Sequence, residues 1–180
     1  MDEGPAVEGV APRPLTASEG FRAFYAEALP IVFGYFVNRC GGSRDVAEDL
    51  TQETFTAAVR ELKRGTPVDA PIAWILGIAK HKLIDHFRRE ERAERKLQLV
   101  HSDRSVGQIP ELTAESRERV LASMAAVPVA QRAALTLRYL DGLSVPEVAT
   151  ALRRSIHATE SLLARGRESF RRAFEVTDDD

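Results

Sequence analysis

The residues with the clearest capacity for chemistry are the arginines near the carboxyl end of the chain. Residues 153–172 contain six arginines and only two glutamates, a surplus of four positive charges. Such a surplus on one helix suits a surface that lies along the phosphates of nucleic acid. The six are Arg153, Arg154, Arg165, Arg167, Arg171 and Arg172. This pattern predicts DNA binding, and a solvated helical hairpin in an all-α core is the alternative.

The sequence around these arginines predicts the two helices that position them. Ser144 is a candidate N-cap, Glu147 three residues later completes a capping box, and Leu143 is placed as the hydrophobic staple. Apolar residues then recur at helical spacing as far as Arg153–Ser155, and a second helix begins at about Ile156. This arrangement is typical of a helix-turn-helix, whose second helix enters the major groove of DNA.

Acidic and amide side chains share one face of a helix predicted between Ser43 and Leu62. Residues three and four positions apart are neighbours on a helix, and the apolar residues of this segment face the other side. The polar group comprises Glu48, Asp49, Gln52 and Glu53. An exposed acidic patch beside apolar edges suits docking to a basic partner, with plain solvation as the alternative.

A third predicted helix, from Ile72 to at least Arg89, carries the opposite charge on a separate face of the same domain. Its buried stripe runs from Trp74 to Phe87, and residues 80–96 hold seven lysines and arginines against four acids. The candidate side chains are Lys80, His81, Lys82, Asp85, Arg88 and Arg89. We interpret them as a ridge that binds phosphates, although acid–base pairing near the end of this helix also suits solvation.

Composition excludes several classes of protein. The chain of 180 residues is 29% charged with a net charge of −2, so any DNA contact must come from local patches. The single cysteine, Cys40, excludes an internal disulfide and a cysteine-based zinc site. The four histidines are scattered, and His81 and His86, five positions apart, do not share a helical face. We therefore predict no cofactor, no metal site and no catalysis.

The helical patterns follow one another with no convincing strand between them. No run approaches the roughly 20 apolar residues that cross a bilayer, and the first 18 residues lack the apolar segment of a secretion signal. We predict a cytoplasmic, all-α protein without membrane insertion, with two small helical domains joined by a flexible linker and a helix-turn-helix in the second. The predicted boundaries are a disordered leader (1–18), a first domain (19–96), a linker (97–113), a second domain (114–174) and an acidic tail (175–180).

Three segments stand out as motifs in a fixed order. They are AEDLTQETF (Ala47–Phe55), AWILGIAKHKLIDHFRRE (Ala73–Glu90) and QRAALTLRYLDGLSVPEVATAL (Gln131–Leu152). Together they resemble successive landmarks of the extracytoplasmic-function sigma factors, the small two-domain members of the bacterial sigma-70 family. The resemblance covers about Phe21 to Phe174. It implies an alternative sigma factor that binds core RNA polymerase and directs promoter recognition, DNA opening and transcription initiation at a specific regulon.

The resemblance also implies a partner for each surface of the first domain. The face from Glu48 to Glu53 would dock on the coiled-coil clamp helices of the polymerase β′ subunit, and the β flap is a second implied contact. The loop Gly65–Pro71 would capture an unstacked base of the minus-ten promoter element, while the helix from Lys80 to Arg89 would hold the non-template strand. The family's usual regulator, an anti-sigma factor that wedges between the two domains, is a further implied partner.

The second domain is implied to read the minus-thirty-five element as duplex DNA. The predicted contacts begin at Arg153, with Arg154, Ser155, His157, Ala158 and Ser161 nearest the bases and Arg165 and Arg167 on the phosphates. Glu160 and Leu162 stand where the family typically has lysine and arginine, which removes two cations from the base-reading end. The loss of these two cations predicts an unusual promoter preference. A further departure is Gly166, which stands where alanine is common and lowers helix propensity.

A stand-alone helix-turn-helix regulator, binding DNA as a dimer without polymerase, is the alternative function. The acidic face and the basic ridge of the first domain argue against it, because a simple regulator needs neither. A palindromic footprint made by the isolated protein would favour it.

Overall fold

The computed structural model describes residue 15 and residues 18–65, 67–96 and 114–176. Most of these residues lie in helices, and none of them is in a strand. The helices are α1 (Ser18–Arg39), α2 (Arg44–Lys63), α3 (Pro71–Lys96), α4 (Ala114–Ala126), α5 (Val129–Leu135), α6 (Val145–Leu152) and α7 (Ile156–Val176). The predicted all-α fold is therefore confirmed.

Several predicted segments lie wholly or partly outside the described residues. Residues 97–113, the predicted linker, lie outside them, as do most of the predicted leader and residues 177–180 of the tail. Helix α7 continues to Val176, past the predicted end of the second domain. Across the described helices, none combines the length and the apolarity that a bilayer-spanning segment needs.

Helices α1, α2 and α3 pack around an apolar core to form the first domain. Their buried side chains recur every three or four residues, the spacing that brings successive residues to one face of a helix. On α3, Ile75, Leu83 and Phe87 each expose at most 1% of their surface. Trp74 packs against this core and donates its indole N–H to Glu61 of α2 at 3.3 Å. These contacts fix the orientation of α3, which carries the basic ridge.

Helices α4 to α7 form the second domain, with α7 lying against α4, α5 and α6. The backbone N–H of Ser144 donates to the Glu147 carboxylate at 2.7 Å, and the predicted capping box is confirmed. Arg153, with a φ of +53°, ends α6 in the left-handed conformation. Helix α7 then begins at Ile156, so the predicted helix-turn-helix is confirmed.

The end of α5 contains a feature that the sequence pattern did not predict. Residues Thr136–Leu140 form a π-helical turn, closed by a hydrogen bond from the Asp141 N–H to the Thr136 carbonyl at 3.1 Å. The turn leaves Tyr139 58% and Leu140 40% exposed. Turns of this kind often mark functional sites, and this one places Asp141 against the first domain.

Gly166 allows α7 to approach α5 closely. A Cβ atom at this position would lie 3.1 Å from Leu135 Cγ and 3.2 Å from Leu135 Cδ1. Leu135 is itself buried in the core, so its side chain has little room to move. The close contact accounts for a glycine at a helical position where alanine has the higher propensity.

We expect Gly166→Ala to destabilise the protein by about 1 kcal/mol, because displacing Leu135 outweighs the gain in helix propensity. Gly77→Ala is the matched control, since Gly77 lies inside α3 and nothing other than the adjacent backbone of that helix lies within 4 Å of its Cβ position. That variant should gain up to about 1 kcal/mol. Urea unfolding measures both changes. Equal stabilisation by the two substitutions would contradict the close packing of α7 on α5.

The two domains pack directly against each other. Helix α3 of the first domain contacts α5 and α6 of the second, and the buried apolar residues of both domains belong to one cluster. The sequence predicted two domains joined by a tether but did not predict this contact. It brings several charged residues of one domain against the other.

Candidate functional site

The acidic face of α2 lies open beside an apolar groove. Glu48, Asp49 and Gln52 are exposed. A groove of about 600 Å³ runs between α1 and α2, and Glu48 and Gln52 contribute to its lining. Its apolar side chains are Phe21, Tyr25, Leu29, Phe33, Phe55 and Val59. This combination suits an amphipathic helix whose apolar residues enter the groove while its basic residues meet the carboxylates.

Glu53 differs from the other members of the acidic face because it is half-buried against α3. Its Oε2 lies 3.3 Å from Lys82 Nζ, and its Oε1 lies 3.5 Å from Arg89 Nη1. The acidic face and the basic ridge therefore meet at Glu53, and the prediction that they occupy separate faces was wrong at this residue. The physical reason is that α2 and α3 pack side by side, which the periodicity of one segment does not reveal.

The basic ridge of α3 has an open part and a covered part. The exposed residues are His81, Asp85 and Arg89, and the half-buried ones are Lys80, Lys82 and Arg88. Arg88 donates from Nε to the Ala151 carbonyl of α6 at 2.8 Å and from Nη1 to Asp85 at 3.1 Å. The guanidinium group of Arg88 is thus held by the second domain. Arg89 and His81 remain on an open surface.

The first turns of α7 present several of the predicted base-reading residues to solvent. Ser155 and His157 are exposed, whereas Ala158 and Ser161 are half-buried. Ser155 Oγ accepts a hydrogen bond from the Ala158 N–H at 3.2 Å and so caps the helix. Thr159 is fully buried and anchors the same turn in the core. One face of this part of α7 is therefore anchored in the core, and the opposite face is open to solvent.

Leu162 belongs to the core, because only 5% of its surface is exposed. The expectation that Leu162 removes a cation from the base-reading surface was wrong, since its side chain does not face that surface. The apolar spacing of α7 places it inward together with Leu163. Glu160 is exposed, so its departure from the family pattern does bear on DNA contact.

The arginines predicted to contact DNA from the second domain have different surroundings. Arg153, Arg165 and Arg167 are exposed, and Arg167 Nη1 donates to the Tyr139 hydroxyl at 3.3 Å. Arg154 is half-buried and forms an ion pair with Glu91 of α3. The structure therefore brings Arg153, Arg165 and Arg167 to an open surface and engages Arg154 with the first domain.

A second apolar groove lies beside the π-helical turn and was not predicted from the sequence. It measures about 550 Å³, with Arg167 and Arg171 in its lining and Asn38 of α1 contributing from the first domain. Its apolar side chains are Val120, Leu121, Met124, Leu135, Tyr139, Leu140, Phe170 and Phe174. Phe170 and Phe174 stack one turn apart, with ring centroids 5.8 Å apart. In the sequence, the groove could have been inferred from these two aromatic residues, which lie four positions apart near the end of α7.

Glu90 of α3 lies between His86 on its own helix and Arg132 from α5. Its two carboxylate oxygens lie 3.1 and 3.2 Å from Arg132 Nη2, and Oε2 lies 3.2 Å from His86 Nε2. Burial alone raises the pKa of Glu90. The hydrogen bond with His86 and the charge of Arg132 outweigh that effect and lower the pKa to about 2.

We expect the Glu90 carboxylate to stabilise the folded protein above the ordinary pKa of 4.5, with the stability lost as the pH falls towards 2. Protonation of Glu90 weakens its contacts with His86 and Arg132. By linkage, this lowers the free energy of unfolding by as much as about 3 kcal/mol. Glu90→Gln should flatten this dependence in urea unfolding at pH 5 and pH 3. Glu27→Gln, at an exposed position of α1, is the control. The same pH dependence in Glu90→Gln as in the native protein would disprove the assignment.

Comparison with known proteins relates these surfaces to one family. Residues 24–93 match Sigma-70 region 2, and residues 117–170 match Sigma-70, region 4. The ECF RNA polymerase sigma factor BldN of Streptomyces coelicolor is 31% identical over 150 residues, which cover 81% of this chain and 56% of BldN. The ECF RNA polymerase sigma factor SigF of Caulobacter vibrioides is 34% identical over 140 residues, which cover 74% of this chain and 75% of SigF.

A solved structure shares the fold. The sigma factor RpoE from Bartonella quintana, in its complex with the anti-sigma factor NepR, aligns with a TM-score of 0.53 at 18% sequence identity. The alignment covers 88% of this chain and 98% of the RpoE chain. The two matched regions coincide with the two helical domains described above. This chain therefore belongs to the extracytoplasmic-function sigma factors of the sigma-70 family.

Proposed function

We propose that this protein is an alternative sigma factor that binds core RNA polymerase and directs promoter recognition, DNA opening and transcription initiation. The carrying observation is that one chain of this family presents an open acidic face beside an apolar groove and an open, positively charged recognition helix. The first surface suits a protein partner and the second suits duplex DNA. The protein acts in the cytoplasm, by binding alone and without a catalysed reaction of its own.

The proposed polymerase contact of the first domain consists of Glu48, Asp49 and Gln52 together with the groove between α1 and α2. The partner is the pair of β′ clamp helices, with apolar residues entering the groove and basic residues facing the carboxylates. Glu53 has a different role, because its carboxylate faces Lys82 and Arg89 of α3. It positions the basic ridge next to the docking face, so that polymerase binding and strand binding occur side by side.

The proposed minus-ten contact combines the loop 65–71 with the ridge of α3. Residues 67, 69 and 70 of this loop are exposed, and the loop leads directly into α3. A strand held at the loop by a captured base and continuing along α3 would reach Lys82 and Arg89 about 17 and 27 Å further on, at 1.5 Å of helix per residue, so these cations would meet phosphates a few nucleotides away. Unstacking a base costs a few kcal/mol, and phosphate contacts with these cations offset part of that cost. Lys80, His81, Asp85 and Arg88 complete the proposed strand-binding surface.

The proposed minus-thirty-five contact is made by the open side of α7. Ser155 and His157 reach the base edges, with Ala158 and Ser161 forming the closely approaching part of the helix. Arg153, Arg165 and Arg167 are exposed and bind phosphates, which fixes the register of the helix on the duplex. Arg154 joins them once its pairing with Glu91 is released.

The second apolar groove is the proposed contact for the β flap. Its lining from α4, α5 and α7 is apolar, and Arg171 adds positive charge. An amphipathic segment of the flap with apolar residues on one face and acidic residues beside them fits this combination. Tyr139 and Leu140, which belong to this lining, are exposed and so are available to a partner.

A run-off transcription assay tests the proposed function. Core RNA polymerase is supplied with a pool of promoter fragments, with and without this protein. Transcripts that start at defined sites only when the protein is present would confirm the sigma role and reveal the promoter. Folded protein that yields no transcript and also fails to retain core polymerase in a pull-down would refute it. A palindromic footprint by the protein alone would then favour the stand-alone regulator, for which the described surfaces offer no specific support.

An anti-sigma factor is a further proposed partner. In the solved structure that shares this fold, RpoE is bound by the anti-sigma factor NepR. The two apolar grooves of this chain and the acidic face of α2 give such a regulator places to bind where it would exclude polymerase. Retention of a single endogenous protein that competes with core polymerase for this chain would support that role.

A further inference from the structure

The recognition helix α7 carries an acidic side chain on the surface that is proposed to face DNA. Glu160 is exposed and lies about one turn into the helix. Further along the same helix, Glu168 forms ion pairs with Arg171 at 2.6 Å and Arg172 at 3.7 Å. Among the residues that the structure describes, none forms an ion pair or a hydrogen bond with the Glu160 side chain. The Glu160 carboxylate is therefore available to a ligand.

A carboxylate at a DNA surface needs a hydrogen-bond donor. The phosphates repel it, and removal of its hydrating water without a new partner is unfavourable. The donors that bases present in the major groove are the N4 amino group of cytosine and the N6 amino group of adenine. Adenine places the acceptor N7 beside its amino group, whereas cytosine places the apolar C5 position there. Cytosine is therefore the base whose major-groove edge fits Glu160.

Ile156 places an apolar side chain beside this carboxylate. It is the first residue of α7, and 52% of its surface is exposed. Residues four positions apart share one side of a helix, with Cβ atoms about 5–6 Å apart. Successive base pairs are about 3.4 Å apart, so Ile156 and Glu160 can reach adjacent base pairs. The apolar group that the major groove offers to Ile156 is the C5-methyl group of thymine.

The first part of α7 has no cation with which to bind guanine. Residues 156–164 contain no lysine or arginine, the side chains that most often read guanine in the major groove. The next two arginines of the helix are held by the protein itself. Arg165 Nε donates to the Ser161 carbonyl at 3.3 Å, and Arg167 Nη1 donates to a hydroxyl of the π-helical turn at 3.3 Å. Base reading at this end of α7 therefore depends on side chains that carry no fixed positive charge.

The first turn of α7 fixes the positions of these two side chains. Ser155 Oγ accepts a hydrogen bond from the Ala158 N–H at 3.2 Å, and Thr159 Oγ1 donates to the Ser155 carbonyl at 3.0 Å. Thr159 is itself fully buried. The backbone that carries Ile156 and Glu160 is therefore anchored to the core of the second domain, which fixes the spacing at which they meet the bases.

We propose that Glu160 and Ile156 select a cytosine and an adjacent thymine on one strand of the minus-thirty-five element. Glu160 accepts a hydrogen bond from the cytosine N4 amino group, and Ile156 contacts the thymine methyl group. Neighbouring pyrimidines of one strand place these two groups side by side in the major groove. The proposal rests on the proposed minus-thirty-five contact of α7, to which it adds two residues and a base preference.

Selection from a pool of randomised duplexes, followed by sequencing, tests the role of Glu160. The full-length chain is used alone and bound to core RNA polymerase. The native protein should enrich a site with one invariant cytosine, and replacing that base should weaken binding about tenfold. Glu160→Lys should change the selected base to guanine, and Glu160→Gln should change it to adenine. Glu27→Lys, at an exposed position of α1, makes the same charge change as Glu160→Lys and should keep cytosine.

Replacing the selected thymine by uracil removes only a methyl group and tests the role of Ile156. The native protein should bind the uracil duplex about threefold more weakly, because an apolar contact is lost. Ile156→Ala should bind the thymine and uracil duplexes with equal affinity. Native binding that ignores the methyl group, or a loss that persists in Ile156→Ala, would overturn the thymine contact.

The cytosine contact would be overturned if both Glu160 variants kept the native base preference, if the native protein selected adenine, or if no sequence was enriched. Glu160→Gln is nearly isosteric, so it decides the matter should Glu160→Lys lose helix in circular dichroism. Specific transcripts whose promoter preference ignores residue 160 would refute this contact and leave the sigma function standing. Selection of cytosine by a chain that fails to bind polymerase would do the reverse.

Discussion

Glu48→Arg combined with Asp49→Arg is expected to weaken binding to core RNA polymerase by at least about a hundredfold. Both side chains are exposed, and Glu48 also contributes to the groove between α1 and α2, so the change turns two negative charges into two positive ones at the docking face. Like charges facing each other across an interface cost several kcal/mol, and a hundredfold loss corresponds to about 2.7 kcal/mol. Titration of labelled protein with core polymerase measures the affinity.

The control for this variant is Glu27→Arg combined with Glu115→Arg. Both positions are exposed and neither lines either groove, and the net charge changes by the same amount. This control should bind polymerase as the native protein does, with both proteins showing native helical content. Unchanged polymerase affinity in the Glu48 and Asp49 variant would remove α2 from the docking surface.

Lys82→Ala combined with Arg89→Ala is expected to reduce promoter opening about tenfold or more, because two phosphate contacts with the opened strand are lost. The affinity for core polymerase should change less than about threefold. Loss of two such contacts to single-stranded DNA should also make the dependence of log K on log salt shallower by about 1.4. Permanganate reactivity of unpaired thymines in the opened region, followed over a range of salt concentrations, measures both effects.

Arg22→Ala combined with Arg172→Ala controls for the loss of two positive charges, since both are exposed and outside the proposed strand-binding surface. Opening should be native in that protein. Because Lys82 and Arg89 also face Glu53, their removal could alter the docking face instead. Equal losses of polymerase binding and opening would show that the ridge supports docking rather than strand binding.

The individual helices and their caps could be predicted from the sequence because the interactions that form them involve residues only a few positions apart. The capping box at Ser144 and Glu147 depends on a spacing of three, and the exposure of Glu48, Asp49 and Gln52 follows from helical periodicity. The arrangement of landmarks along the chain was sufficient to indicate the family. For Leu162 the apolar spacing of α7 correctly indicates a buried position, whereas comparison with the family pattern, which indicates a base-reading position, was wrong.

Contacts between helices could not be predicted from the sequence in the same way. Glu53 faces the cations of α3, Gly166 lets α7 approach Leu135, and Arg154 pairs with Glu91, each across a large separation in sequence. Such pairs depend on how whole helices dock, which is set by the summed packing of many side chains. Periodicity specifies which face of a helix is buried, but not which face of another helix covers it. The ion pairs between the domains, Glu90 with Arg132 and Glu91 with Arg154, result from that docking, and for this reason they are seen in the folded chain and not in its sequence.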